Sequence, residues 1–159
     1  MPIRLVRAPE PYAPLDGDGP SLFLAGGITA VGDWQSRAEL LLGRADFPVT
    51  VFNPRRADFD VTRIGDTVEQ IAWEHRLLRL ADLVLFWFAD GPSVQPITLF
   101  ELGGAIERAG RVVVGAHPTY SRVLDIHEQV RLVRPELEVH ESLEGLVGEA
   151  LGVLRGWAG

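Results

Sequence analysis

The chain has no cysteine among its 159 residues. Disulfide frameworks, thiolate zinc sites, iron–sulfur clusters and a cysteine nucleophile are thereby excluded, and any chemistry falls to carboxylates, histidines and hydroxyls. Positive charge is also scarce: 15 Lys and Arg stand against 22 Asp and Glu, a formal charge of −7. A protein that grips a nucleic-acid polymer needs a basic footprint to displace counterions, so no such partner is expected. A small ligand held by local groups is compatible with this balance. No apolar run approaches the roughly 20 residues of a membrane helix. The opening MPIRLVRAPEPY lacks the apolar core and cleavage pattern of a secretion signal. The expectation is a soluble, cytoplasmic protein with no membrane partner.

Several motifs are missing too. Gly26-Gly27 is followed only by Gly32, so there is no G-x-G-x-x-G after the first apolar run; a P-loop and a G-x-S-x-G are absent as well. His127-Glu128 lacks a second histidine four residues after the first, because Arg131 stands there. His75, His117, His127 and His140 are scattered and read as packing or surface residues, and no metal site is expected.

What is present is a globular mixture, 47% hydrophobic and 23% charged, of a length that suits one domain. Residues 1–20 read as a short extended piece and a Pro- and Gly-rich stretch lying over the surface, an N-terminal extension to a domain spanning 21–159. From Ser21 onward, short apolar runs alternate with segments of helical period. The runs are 21–27, 49–54, 83–88, 111–117 and a weaker one, 137–142, that suits a sheet edge. Near-continuous apolar runs are expected of parallel strands covered on both faces. Helix candidates occupy 33–42, 67–80, 99–109, 124–133 and 142–154. In the third, Leu99, Leu102, Gly103, Ile106 and Ala109 fall on one stripe. This order predicts an α/β protein, a flavodoxin-like open sheet of five mainly parallel strands in the order 2-1-3-4-5 with helices on both faces.

In such sheets ligands bind beyond the carboxyl ends of the strands. Gly26 and Gly27 follow the first run, Asn53 and Arg55 the second, and Ser93, Gln95 and Thr98 the third. These are the candidate substrate-binding residues, although strand ends are turns and turns are polar in any protein. Glu101 is expected in the first turn of the helix after Thr98, where the dipole favours an ionised carboxylate; that suits a nucleophile and an ordinary helix start alike. Glu74 sits at the margin of a helix whose main apolar face is expected to be Val68, Ile71, Ala72, His75 and Leu78. Buried there, its pKa would rise and it could deliver a proton near neutral pH; the plainer reading is a rim glutamate.

FLAGGI (23–28) with Asp33-Trp34, FNPRR (52–56), Gln70-x-x-Trp73-Glu74, Ala81-Asp82, Thr98-x-x-Glu101-Leu-Gly and VVVGAHPTYSR (112–122) together resemble the nucleoside 2-deoxyribosyltransferase-like family, over roughly 21–147. That family comprises nucleoside transferases and nucleotide N-glycosidases on a flavodoxin-like fold. The resemblance implies that Glu101 is the catalytic nucleophile and that Glu74, where the family usually has Asp, positions the sugar and manages the proton on the leaving base. It implies a nucleoside or nucleotide as substrate, no metal or redox cofactor, and a homo-oligomer. Two positions depart from the transferases' pattern: Phe23 stands for a tyrosine and Gln95 for an aspartate. The alternative is a non-catalytic nucleotide-binding or sensing module on the same fold; an FMN carrier is disfavoured because the first loop lacks a Ser/Thr-rich phosphate cradle. Arg55 and Arg56 read either as phosphate contacts or as surface residues, and Trp34, Trp73, Trp87 and Phe88 either as base-stacking or as core.

Overall fold

Strand residues alternate between the two faces of a pleated sheet, and here both sets are apolar. In β2 (Ser21–Gly26), Leu22 and Leu24 enter one core and Phe23 and Ala25 the other; in β4 (Leu83–Phe88), Leu83, Leu85 and Trp87 oppose Val84, Phe86 and Phe88. The computed structural model describes residues 3–57, 62–108 and 111–158. Six strands pair in parallel in the order β1-β3-β2-β4-β5-β6, with β1 Arg4–Arg7, β3 Thr50–Asn53, β5 Val112–Ala116 and β6 Val139–His140. Helices α1 (Trp34–Leu42) and α5 (Leu143–Arg155) cover one face, and α2 (Ile64–Leu80), α3 (Pro96–Glu107) and α4 (Val123–Val133) the other. No helix among the described residues is long and apolar enough to cross a membrane.

The fold class is as expected, with one strand more. Arg4–Arg7 add to the edge beyond β3, Leu5 beside Val51 and Val6 beside Phe52. Two apolar residues flanked by arginines carry too little pattern to announce a strand, and the pairing comes from the open edge they meet. Residues that follow β1 are tied to β3 and to α2. Tyr12 packs edge-on against Phe52 with ring centroids 4.8 Å apart, and the Trp73 indole N–H donates to the Glu10 carbonyl at 2.8 Å.

That indole also explains a second difference. α2 buries Gln70, Trp73, Leu77 and Leu78, whereas Val68 and Ile71 of the expected face are 60% and 59% exposed and His75 is exposed too. The large Trp73 ring, packed against Phe23 at 6.1 Å, rotates the helix toward itself. In α3 the buried residues are Thr98, Leu102, Ala105 and Ile106, while Gly103 is exposed and Ala109 lies outside the described residues. Trp34, Trp73, Trp87 and Phe88 are all core side chains, so none is available to stack on a ligand without a change of packing.

The corrected face of α2 is open to measurement. Leu77→Ala empties a fully packed site and is expected to lower stability by about 2–5 kcal/mol, whereas His75→Ala changes it by about 0.5 kcal/mol or less. Urea denaturation of the two variants checks this, and equal losses would restore the face expected from periodicity.

Candidate active site

The carboxyl ends of β2, β3 and β4 are laced together by side chains that the backbone needs. Gln95 occupies a left-handed conformation (φ 50°) and caps α3, with Pro96 as the first helical residue. Its side chain is buried: Nε2 donates to the Ala89 carbonyl at 2.8 Å, and Oε1 accepts from the Gly27 N–H at 3.1 Å. Ser93 Oγ accepts from the Gln95 N–H at 3.1 Å, and the Tyr120 hydroxyl donates to the Val94 carbonyl at 2.6 Å. The glycines fit this crowding. A Cβ on Gly26 would lie 2.3 Å from Trp34 Cζ2, and one on Gly27 would lie 2.7 Å from Gln95 Cγ. Gly26, Gly27, Ser93 and Gln95 are thus brought together, and their visible work is holding loop to loop.

Asn53 and Arg55 form a second brace. Asn53 Nδ2 donates to Glu39 Oε1 at 2.7 Å, its Oδ1 accepts from the Arg55 N–H at 2.9 Å, and Arg7 Nη2 meets Glu39 Oε2 at 2.6 Å. Arg55 reaches Gln35 Oε1 at 2.9 Å, the Gly32 carbonyl at 3.0 Å and Asp33 at 3.3 Å. Arg56 pairs with Glu69 at 3.0 Å. Guanidinium groups engaged in this way hold the loops after β2 and β3 in register.

Glu74 and Glu101 are different. They come from α2 and α3, on the face of the sheet opposite α1, and each is partly buried. Among the described residues no ion pair engages either of them. Burial pushes the Glu101 carboxyl up from its ordinary 4.5 to about 8, and the nearby charge of Glu74 pushes in the same direction. The Glu74 carboxyl is also raised by burial, against the hydrogen bond from Gln70 Nε2 at 2.6 Å, which favours its ionised form. The helix dipole does little for Glu101. α3 begins at Pro96, so Glu101 stands in its second turn instead of the first, and there is no acidic residue in the first turn. Proline is well suited to the first helical position, which is why the helix starts earlier than the apolar stripe indicates. Thr98, buried one turn before Glu101, shares its side of α3.

Two residues here have a part that the sequence did not assign them. Glu39 is buried and anchors Asn53, with only its place in an amphipathic helix to mark it. Gln70 lies one turn before Glu74, a spacing that puts the two side chains on the same face and was there to be read. No group of histidine, aspartate and glutamate side chains among the described residues is arranged to hold a metal ion. Two surface hollows lie elsewhere, one at the amino ends of the strands by Asp82 and Arg111, the other along α1 by Leu5 and Leu40.

Residues 19–120 match the family model described as nucleoside 2-deoxyribosyltransferase like. No curated protein matches the chain.

The buried pair makes stability depend on pH with a definite sign. Glu101 binds its proton more tightly folded than unfolded, so its contribution is present at acid pH and is lost as pH rises from about 4.5 through about 8. Glu101→Gln, which keeps the shape and removes the titration, is expected to flatten that fall in urea denaturation between those limits. An unchanged pH slope in the variant would place the carboxyl in water.

Proposed function

The chain belongs to the nucleoside 2-deoxyribosyltransferase-like family, and from that premise we propose that it cleaves the N-glycosidic bond of a nucleoside or nucleotide through Glu101 and Glu74. The observation that carries this reading is the carboxyl pair, drawn from separate helices, each partly buried, the charge of Glu74 acting on Glu101, with no ion pair to either among the described residues. Two acids so placed retain a proton near neutral pH, since ionising the second against the charge of the first is unfavourable. One proton shared by a nucleophile and an acid is what the reaction requires.

In the first half, a Glu101 carboxylate oxygen bonds to the anomeric carbon. The C–N bond breaks with its electron pair moving to the base, and the base takes the proton of Glu74. The positive charge that develops on the sugar is stabilised by the carboxylate beside it. In the second half, a ring nitrogen of an incoming base, or a water oxygen, attacks the same carbon and gives up its proton to Glu74 while the Glu101 ester bond breaks. Attack by a base makes the protein a deoxyribosyltransferase; attack by water makes it an N-glycosidase. The logic is that of retaining glycosidases, in which two close carboxyl groups divide nucleophile and acid between them.

The binding residues have an indirect part in this reading. Gly26, Gly27, Ser93, Gln95 and Thr98 shape the floor between β2 and α3, and Asn53 and Arg55 fix the wall after β3. Gln95, with both polar ends engaged inside the protein, replaces a carboxylate contact by a rigid loop. Copies of the chain associate in this proposal. Ile64, Val68 and Ile71 on α2 and Ile97 and Phe100 on α3 are all more than half exposed on the same face of the sheet, Phe100 immediately before Glu101. A second protomer laid over them would cover apolar surface and close the site. We place the activity in the cytoplasm, where free nucleosides and nucleotides are metabolised.

Incubation with 2′-deoxynucleosides and their 5′-monophosphates, with and without a free acceptor base, tests the proposal by chromatography of the released or exchanged base. Glu101→Ala is expected to lose turnover by about 10³-fold or more. Because the pair must hold one proton to serve as acid, kcat/KM is expected to fall as pH rises through about 8, where the Glu101 carboxyl has lost its proton beside Glu74. Tight binding of nucleotides without turnover in the unaltered protein would favour the sensing module, and full turnover in Glu101→Ala would remove the assigned nucleophile.

A further inference from the structure

The buried glutamines set a standard against which one of them fails. Gln35 donates to the Gly27 carbonyl at 3.1 Å and accepts from Arg55 at 2.9 Å, and Gln95 is satisfied at both ends. Gln70, only 6% exposed, uses its amide group fully: Nε2 donates to the Pro54 carbonyl at 2.7 Å and to Glu74 Oε1 at 2.6 Å. Its own carbonyl oxygen is buried and has no partner among the described residues. The amide cannot simply be turned around, because the Pro54 carbonyl only accepts and would then face another oxygen. An acceptor left bare in the interior is unfavourable by about 1–3 kcal/mol, so a native site that keeps one calls for an explanation.

The location supplies it. Gln70 lies between the loop leaving the carboxyl end of β3 and the Glu74 carboxyl, the edge where an open parallel sheet receives its ligand. We propose that Gln70 is a substrate-contacting residue whose Oε1 accepts a hydrogen bond from a neutral donor of the ligand, a sugar hydroxyl or a base N–H, while its Nε2 orients Glu74. The inference rests on the reading of the Glu74 and Glu101 pair as a nucleoside site, and it adds a specificity contact to that site. A ligand that brings the donor gives Gln70 Oε1 the partner it lacks among the described residues; an analogue without it leaves the oxygen bare and is rejected.

The test compares kcat/KM for a parent 2′-deoxynucleoside and for analogues that each lack one donor: the 5′-hydroxyl, the 3′-hydroxyl or the exocyclic amine of the base. The unaltered protein is expected to discriminate against one of them by about tenfold or more. In Gln70→Met that ratio falls to about one, and in Gln70→Glu, which keeps an acceptor, it persists. Damage to Glu74 alone would slow parent and analogue equally and leave the ratio unmoved, so the ratio isolates the contact. The analogue affected tells whether sugar or base supplies the donor. Should Gln70→Met fail to fold, carbon-13 labelling of glutamine side chains in the unaltered protein gives a second readout: the Gln70 carbonyl carbon is expected to shift downfield when a nucleoside is added. Turnover of nucleosides with an unchanged ratio in Gln70→Met, or no carbonyl shift on binding, overturns the inference alone. Absence of both binding and turnover in the unaltered protein overturns the nucleoside reading and this inference with it.

Discussion

An ionised carboxylate taken out of water without a partner is destabilising by several kcal/mol, and placing a second beside it makes matters worse. The protein has two answers to this constraint, and comparing them separates scaffold from site. Glu39 is buried, but Arg7 and Asn53 grip both of its oxygens, so its charge is met where it lies. Among the described residues Glu74 and Glu101 have no such cation. Burial raises both, and the charge of one raises the other. Only a rigid surround keeps such a pair from swinging out to solvent, and much of what is polar at the carboxyl edge of the sheet provides that rigidity.

Two of the braces act on the helices that carry the pair. Gln95 ties the loop after β4 to the end of β2 and starts α3, which sets the position of Glu101 along the helix. Trp73 sets the rotation of α2 by packing on Phe23 and bonding to the N-terminal segment, and Glu74 follows Trp73 in sequence. Asn53, Glu39, Arg7 and Arg55 tie the end of β3 to α1 and β1. Phe23 and Gln95, the positions that depart from the transferases' pattern, are therefore structural: each holds one of the helices that bear the carboxyl pair.

The architecture was largely legible in the chain itself. Four near-continuous apolar runs read as parallel strands covered on both faces, the helical segments between them imply crossovers of one hand, and a count of five favours the order 2-1-3-4-5. The sixth strand was not legible. Arg4–Arg7 has two apolar residues and pairs only because β3 offers an unfilled edge. The face of α2 was misread because Ile and Val at helical spacing look the same whether they meet a sheet or face outward, and the outcome was decided by one indole ring. The start of α3 was hidden by Pro96, which reads as loop in a sequence and as a first helical residue in three dimensions.

At the site the same division holds. Sequence by itself left the chemistry to carboxylates, histidines and hydroxyls, because there is no cysteine, and determined that polar residues would gather at one edge of a parallel sheet, because strand direction is set by connectivity. It also placed Glu74 on one crossover helix and Glu101 on another. Tertiary structure alone decided that the charge of Glu74 would act on Glu101, with no cation on either among the described residues, that Gln95, Asn53 and Arg55 would be engaged by the protein's own backbone and side chains, and that Gln70 would have one oxygen with no partner among those residues. The reason is physical: burial, mutual repulsion and an unmet hydrogen bond are properties of neighbours distant in the chain, and no local pattern encodes which of them will arrive.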